Sequence, residues 1–438
     1  MLKVLKFGGS SMADAIQYKK VKEIVESDPA RQVVVVSAAG KRYKEDHKLT
    51  DLLYLCYAHL QYGVSVEAVF GMIRDRYLEI KRDLNLKVDI ESELDHIRKK
   101  MDKGISEEEL VSRGEYLSAM LMADYLGFAF VDAAHWLKFR YDGTIDRKES
   151  YAALKQVLDG RKAVIPGFYG VMPDGRIKTL SRGGSDITGA LAAAALDADV
   201  YENWTDVSGI LMADPRIVED PQPIERVTYN ELRELSHAGA QVLHEETIYP
   251  VRDKNIPLNI RNTNEPDHPG TMVMENFEEI DETEHRFITG IAGKKDYTIV
   301  TLTKNGLSNG IGELKRILEV FEDHNVSIEY VPSGLDSVSL VMQSSQVASS
   351  LYAILGELQK KVKPNDIKVT DKIAIVAAVG RKMASRAGVS GKIFARLGEH
   401  GISIRMISQG PEELNIIVGV DNKNYANAIR VLYNSFVK

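Results

Sequence analysis

Lys6-Phe7-Gly8-Gly9-Ser10-Ser11 sets an ammonium two residues ahead of a pair of glycines and a pair of hydroxyls. Leu2 to Phe7 reads as a buried strand, and the periodicity predicts an amphipathic helix from about Met12 to Glu26. Gly8 and Gly9 let the backbone approach a ligand with no Cβ in the way. Ser10 or Ser11 can cap the helix, whose first N–H groups suit an anion. Strand, lysine, glycine turn and helix read as a phosphate cradle, although a plain strand-to-helix turn draws on the same residue types. The spacing is neither the dinucleotide fingerprint nor the P-loop. A second stretch has the same grammar: Ser181-Arg182-Gly183-Gly184-Ser185-Asp186, followed by an alanine-rich helix to about Ala195. Arg182 can clamp a carboxylate or phosphate with two parallel hydrogen bonds. Ser185 reads as the N-cap, with Asp186 in the first turn. In open α/β sheets ligands sit at the C-terminal strand ends, so two such entries can share one crevice. Thr205, Asp206 and Arg216 follow the strand Val200 to Trp204, in loops where binding residues and ordinary turn residues both concentrate.

These stretches need a sheet behind them, and the chain supplies one. Gln32 to Val36 reads as a buried parallel strand opening into Ser37-Ala38-Ala39-Gly40, then a charged loop from Lys41 to Lys48. Thr50-Asp51 is expected to cap the next helix, and helices follow to about Tyr125. Phe128 to Asp132 and Ala163 to Pro166 read as strands, and Val171 to Ile177 as a hairpin turning at Asp174-Gly175. The class is α/β with a mainly parallel sheet. Helices are predicted over Tyr229 to Leu235 and Ala240 to Tyr249, and Asn276 to Glu284 is an acidic linker. Beyond Arg286 the pattern becomes an internal repeat of a βαββαβ unit, with His324-Asn325-Val326-Ser327-Ile328 echoed at His400-Gly401-Ile402-Ser403-Ile404. Strands are expected at Val326 to Val331 and Val338 to Met342, and a helix from Gln346 to Lys360. The two histidines fit helix ends, where imidazole suits the dipole, better than a metal site.

Composition narrows the functions. The 438 residues suit two or three domains, and 44% hydrophobic content supports ordinary cores. A net charge of −7 argues against a nucleic-acid partner or an anionic membrane surface. The single cysteine, Cys56, excludes an intramolecular disulfide and reads as a core residue. Apolar runs are too short to span a bilayer, and the cradle starts so near Met1 that no leader is expected, which makes the cytoplasm the default location.

In this order and spacing, the motifs resemble those of the aspartate kinases over essentially the whole chain. The carriers are Lys6 to Ser11, Val35-Val36-Ser37-Ala38, Arg113-Gly114-Glu115, Ser181 to Asp186, Thr205 to Ile210, Asp214-Pro215-Arg216, Gly239 to His244 and the tandem repeat. The resemblance implies an amino-acid-kinase three-layer sandwich over residues 1–280, then two ferredoxin-like ACT repeats at 286–371 and 372–438. Residues 286–295 are open to pairing with the second repeat. It implies no fused homoserine dehydrogenase. The implied reaction moves the γ-phosphoryl of ATP to the β-carboxylate of L-aspartate, with Mg²⁺ carried by ATP and no protein-held metal. A carboxylate with a pKa of about 4 is already ionised at neutral pH, so no general base is needed. Alignment and cationic stabilisation then carry catalysis.

By the same resemblance Lys6 and Asp186 are catalytic, and Lys6, Gly8, Gly9, Ser10, Thr205, Asp206 and Arg216 hold ATP. Gly8 and Gly9 would donate backbone N–H groups. Ser37, Thr50, Glu115, Arg182 and Ser185 bind aspartate, Arg182 facing its α-carboxylate and Glu115 its α-ammonium. Gln241 and Leu211 stand where the family often has a lysine and a tyrosine associated with the nucleotide. The repeats imply feedback by an amino acid, with L-lysine the foremost candidate, at Gly312, Leu314, Ser327 and Glu329. They also imply a homodimer or homotetramer assembled through the ACT domains. A glutamate kinase of the same fold and an inactive amino-acid sensor are the competing readings.

Overall fold

The computed structural model describes residues 1–181, 183–240, 243, 245–277, 288–381, 383, 387–409 and 414–437, with only the backbone of 245 and 246. Two compact units emerge. One comprises Met1–Ile210, Pro223–Tyr229 and Val242–Glu278; the other comprises Leu211–Gln222, Asn230–Gln241 and Glu279–Lys438.

In the first unit, β1 (Lys3–Phe7), α1 (Ala15–Glu26), β2 (Arg31–Val36), helices α2 (Leu49–Gln61), α3 (Glu67–Asp83), α4 (Ile90–Lys103) and α5 (Glu107–Leu126) come first. Next come β3 (Ala129–Phe130), α6 (Arg147–Leu158), β4 (Ala163–Pro166), the hairpin β5 (Tyr169–Val171) and β6 (Ile177–Thr179), α7 (Gly184–Ala195) and β7 (Val200–Thr205). Along the chain β8 (Ile210–Leu211), β9 (Pro223–Ile224) and β10 (Arg226–Thr228) follow, then α8 (Tyr229–Ala238), which beyond Tyr229 is counted in the second unit, and then α9 (Glu245–Arg252), β11 (Leu258–Asn262) and β12 (Thr271–Met274) of the first. One eight-stranded sheet runs β10-β12-β11-β7-β1-β2-β4-β3. Only β11 with β12 is antiparallel. The continuous Val33–Val36 run is therefore buried on both faces, as a central parallel strand requires.

Parallel pairing brings the C-terminal ends of β1, β2, β4 and β7 to one edge. Lys6 lies between Val35 and Asn203, and Phe7 between Val36 and Trp204. Glu202, inside the sheet, accepts from Arg31 Nε at 3.0 Å and Trp204 Nε1 at 3.0 Å. The helices on the β2 side bury an apolar cluster that includes Tyr18, Cys56, Tyr77, Ile97 and Leu121. Burial pushes the Cys56 thiol up to about 11, which leaves it a core filler and no nucleophile at neutral pH.

In the second unit, β13 (Ile288–Thr303), α10 (Glu313–Asp323), β14 (Ser337–Gln343), α11 (Ser344–Val347), α12 (Leu351–Lys361), β15 (Asp366–Gly380), α13 (Val389–Glu399), β16 (Ile404–Ser408), β17 (Asn415–Asp421) and α14 (Tyr425–Phe436) form one five-stranded antiparallel sheet with its helices. The strand order is β14-β13-β15-β17-β16. Ile288–Lys294 pairs with Ile375–Gly380, whereas Tyr297–Thr303 pairs with Asp366–Ile373 and with β14. One long strand thus serves both repeats.

Several local expectations are corrected. Asp14, not Ser10 or Ser11, caps α1, because a 3₁₀ turn over Gly9–Met12 intervenes; its carboxylate accepts from Gln17 N at 2.9 Å. α7 starts after a left-handed Gly183 with no side-chain cap, so Ser185 lies inside the helix. α2 begins at Leu49 behind Lys48, which leaves Thr50 in its first turn. Of the helix expected over Ala240 to Tyr249, α9 is described from Glu245 onward and residues 241, 242 and 244 lie outside the described residues; Gly239 at φ +115° follows the end of α8. Val326 to Val331 is no strand: it meets β14 at an isolated bridge, Tyr330 with Val341, and Pro332, which has no N–H to donate, contributes only its carbonyl, accepting from Ser339 N at 2.8 Å. The helix expected over 346–360 is two pieces, α11 and α12. Among the described residues no helix is long and apolar enough to cross a membrane.

Candidate active site

β1 delivers Lys6 to the sheet edge, almost wholly buried, and α7 brings Asp186 to it: Nζ lies 2.6 Å from Oδ1. The same carboxylate oxygen accepts from Asn203 Nδ2 at 2.9 Å. Tyr201 Oη donates to the Asp186 carbonyl at 3.0 Å, so both neighbours on β7 fix the acid. This fit depends on Gly189 one turn later, where a Cβ would fall 2.4 Å from the Tyr201 hydroxyl. Ser185 is buried, and its side chain sits where a Cβ on Gly167 would be 2.7 Å away.

Beyond Lys6 the chain turns through Gly8 and Gly9. A Cβ on Gly8 would lie 3.5 Å from the Lys6 ammonium. The Gly8 amide, expected to serve an anion, donates instead to Trp204 O at 3.1 Å. Gly9 and Ser10 open the 3₁₀ turn, a position whose amides have no partner within the turn. Ser11 Oγ pairs with Thr263 Oγ1 at 2.8 Å. Thr205 and Asp206 continue from the end of β7 beside this turn, joined by a 3.2 Å hydrogen bond.

The loop after β2 packs on the glycine turn. Ser37 N donates to Phe7 O at 3.1 Å, and Gly40 N to Gly9 O at 2.8 Å. A Cβ on Gly40 would sit 2.6 Å from Gly9 C and 2.9 Å from Ser10 N. Leu49 N donates to Ala39 O at 3.1 Å, which ties the first turn of α2, and with it Thr50, to the same loop. Gly40→Ala is accordingly expected to cost about 1–3 kcal/mol of stability. It should also lower kcat at least tenfold, because only backbone stands in the way of the methyl. Thermal melts with steady-state kinetics check this.

Glu115 comes from α5. Gly114 before it lets the helix approach Ala38, where a Cβ would be 2.7 Å from the Ala38 Cβ, and Tyr77 Oη donates to the Gly114 carbonyl at 2.6 Å. The Glu115 carboxyl is buried, and its Oε2 has no partner among the described residues. Burial pushes it up to about 8, despite the Ala38 amide nearby.

Arg182 and Gln241 lie outside the described residues. Arg216 belongs to the second unit, where its guanidinium is held by Asp214 at 2.7 Å (Nη2 to Oδ2) and 3.0 Å (Nε to Oδ1). Leu211 closes the short strand β8. In the repeats, Gly312 is the left-handed N-cap of α10, and Leu314 is about half exposed. Ser327 N donates to Gln346 Oε1 at 3.2 Å. Glu329 accepts from Tyr297 Oη at 2.7 Å. His324 and His400 end α10 and α13; His324 Nε2 meets Glu357 at 3.1 Å.

Asn203, Gly40 and Tyr201 escaped the sequence reading. A polar Glu-Asn pair inside the otherwise buried strand Val-Tyr-Glu-Asn-Trp was the available signal.

A lysine–aspartate pair beside a glycine turn, near a buried carboxyl group, suits a phosphotransferase. Residues 1–262 match the amino acid kinase family and residues 376–436 the ACT domain. Aspartokinase 3 of Bacillus subtilis is 34% identical over 454 residues, covering 99% of this chain and 98% of that one. The crystal structure of the Clostridium acetobutylicum aspartate kinase matches at a TM-score of 0.90 and 46% identity, over 99% of both chains. Escherichia coli aspartokinase III, solved with aspartate and ADP and with lysine and aspartate, matches at TM-scores of 0.77 and 0.76, 26% identity and full coverage of both chains. The chain belongs to the aspartokinases, ATP-dependent phosphotransferases with a carboxyl-group acceptor.

Proposed function

We propose that L-aspartate and ATP meet at this sheet edge, where the γ-phosphoryl passes to the β-carboxylate and leaves 4-phospho-L-aspartate and ADP. The observation that carries this reading is the Lys6–Asp186 pair set beside the Gly8–Gly9 turn. Lys6 neutralises charge on the transferring group, and Asp186 with Asn203 holds the ammonium in register. Gly9 and Ser10 offer amides to the nucleotide's phosphates. Thr205, Asp206 and Arg216 are the residues we assign to the rest of ATP. Glu115 takes the aspartate ammonium and Arg182 its α-carboxylate, with Ser37, Thr50 and Ser185 around them.

Mg²⁺ enters with ATP, held mainly by phosphate oxygens and water. The site's residues fit that mode, since Asp186 is already engaged by Lys6 and Asn203. Bound with ATP, the ion would supply further neutralisation of the phosphate charge. ADP release across a panel of amino acids tests the acceptor. Turnover with aspartate and none with glutamate is expected; the reverse would overturn the assignment.

The units we assign are residues 1–280 for catalysis and 286–371 and 372–438 for the ACT repeats, in a cytoplasmic homodimer or homotetramer joined through those repeats. L-Lysine is the proposed effector, at Gly312, Leu314, Ser327 and Glu329. The lysine complex of Escherichia coli aspartokinase III supports this. Glu329 is a carboxylate within reach of a ligand ammonium if Tyr297 releases it. Lysine is expected to lower turnover in a titration of lysine and threonine, singly and together; no response to either would refute feedback through these repeats.

A further inference from the structure

Arg76, on α3, belongs to no motif named above, yet it is one of the few buried charges near the site. Its Nη2 contacts both oxygens of Asp46, at 2.9 and 2.7 Å. Its Nη1 donates to the Gly40 carbonyl at 3.1 Å and, at 3.4 Å, to the Ala13 carbonyl. Asp46 is equally buried and sits in the charged loop between Gly40 and α2. It also accepts from Arg42 N at 2.9 Å and Arg42 Nε at 3.0 Å, while Arg42 Nη1 reaches Glu79 of α3 at 3.0 Å.

One guanidinium therefore joins three segments, two through their backbone carbonyls and one through the Asp46 carboxylate. Gly40 ends the Ser37 loop and donates its own amide to Gly9 O. Ala13 follows the 3₁₀ turn that carries Gly9 and Ser10. Asp46 closes the loop that leads to Thr50 in α2. A core that needed only filling would take an apolar side chain here at lower desolvation cost, since buried ion pairs roughly break even against apolar replacements. What the planar fork adds is directional: with Nη2 held on Asp46, the Nη1 amino group is aimed at carbonyls on two different segments.

We infer that Arg76, anchored by Asp46, is a positioning residue that sets the aspartate loop (Ser37–Gly40) against the phosphate turn (Gly9–Ser10). It acts at a distance from the reacting atoms, through Gly40 and Ala13. This rests on the proposed placement of the two substrates on those loops.

Arg76→Lys keeps a cation for Asp46 and loses the fork. It should fold, lower kcat at least tenfold and raise the KM for aspartate several-fold. Asp46→Asn leaves Arg76 its two carbonyls and should change the same constants about threefold. A role in folding alone would instead lower the melting temperature of both variants and leave the constants of the folded fraction unchanged. If either variant folds with kcat and both KM values within twofold of the parent, the inference is overturned; failure of both to fold also overturns it. A parent enzyme that turns over glutamate and not aspartate would instead sink the substrate reading, whatever the variants do.

Discussion

Lys6→Met is expected to lower kcat roughly 10²–10³-fold or more, the scale found when a preorganised charge at a transition state is removed. The chain should stay folded. Methionine fills a similar volume in the buried slot, and Asp186 keeps its Asn203 partner. The loss should fall on kcat, because the ammonium is placed for charge that develops on the transferring phosphoryl group. Steady-state ADP release, with circular dichroism as the control for folding, checks this. Undiminished turnover would remove Lys6 from the mechanism. Asp186→Asn should follow in the same direction, since it weakens the hold on Lys6 without removing the cation.

Glu115→Gln should separate stability from binding. Burial drives the Glu115 carboxyl from 4.5 to about 8 in the folded chain. Below pH 4.5 it is protonated whether the chain is folded or unfolded. Between 4.5 and 8 the unfolded chain loses the proton while the folded one keeps it, so stability falls as pH rises through that window. At about 1.4 kcal/mol per pKa unit, the effect is on the order of a few kcal/mol. Glutamine removes that dependence, so the ligand-free variant should gain on the parent in melts taken from pH 5 to pH 8. Aspartate binding should suffer about tenfold or more, because the ammonium loses its counter-charge. In the parent, binding near pH 7 should release close to one proton, read by calorimetry in buffers of different ionisation enthalpy. Parallel melting curves and no proton release would show that Glu115 is already charged and paired.

The sequence carried the α/β class, the sheet edge and the change of architecture after residue 286, because each rests on local periodicity and glycine placement. Lys6 and Asp186 were legible as motif members. Their 2.6 Å contact was not, since it depends on β1 pairing with β7 and on the α7 helix packing close enough to reach it. Gly40 and Arg76 stayed invisible for the same reason: their partners are far away in the chain. Capping was misread where short-range rules were applied one turn too early. Ser10 and Ser11 have the right chemistry for a cap, but a 3₁₀ turn moves the helix start to Asp14. At α7 a left-handed glycine takes the place of a side-chain cap. The Gly8 amide shows the limit of motif reading, for tertiary pairing to Trp204 takes the donor the motif seemed to offer.

The central claim is a division of labour, with Lys6 serving the phosphoryl group and the Glu115 side of the crevice serving the amino acid. Calorimetric titration of L-aspartate into Lys6→Met, with ADP present, tests it most directly. Affinity within threefold of the parent, in a variant that no longer turns over, is the predicted result. A loss of aspartate affinity as large as the loss of turnover would contradict it.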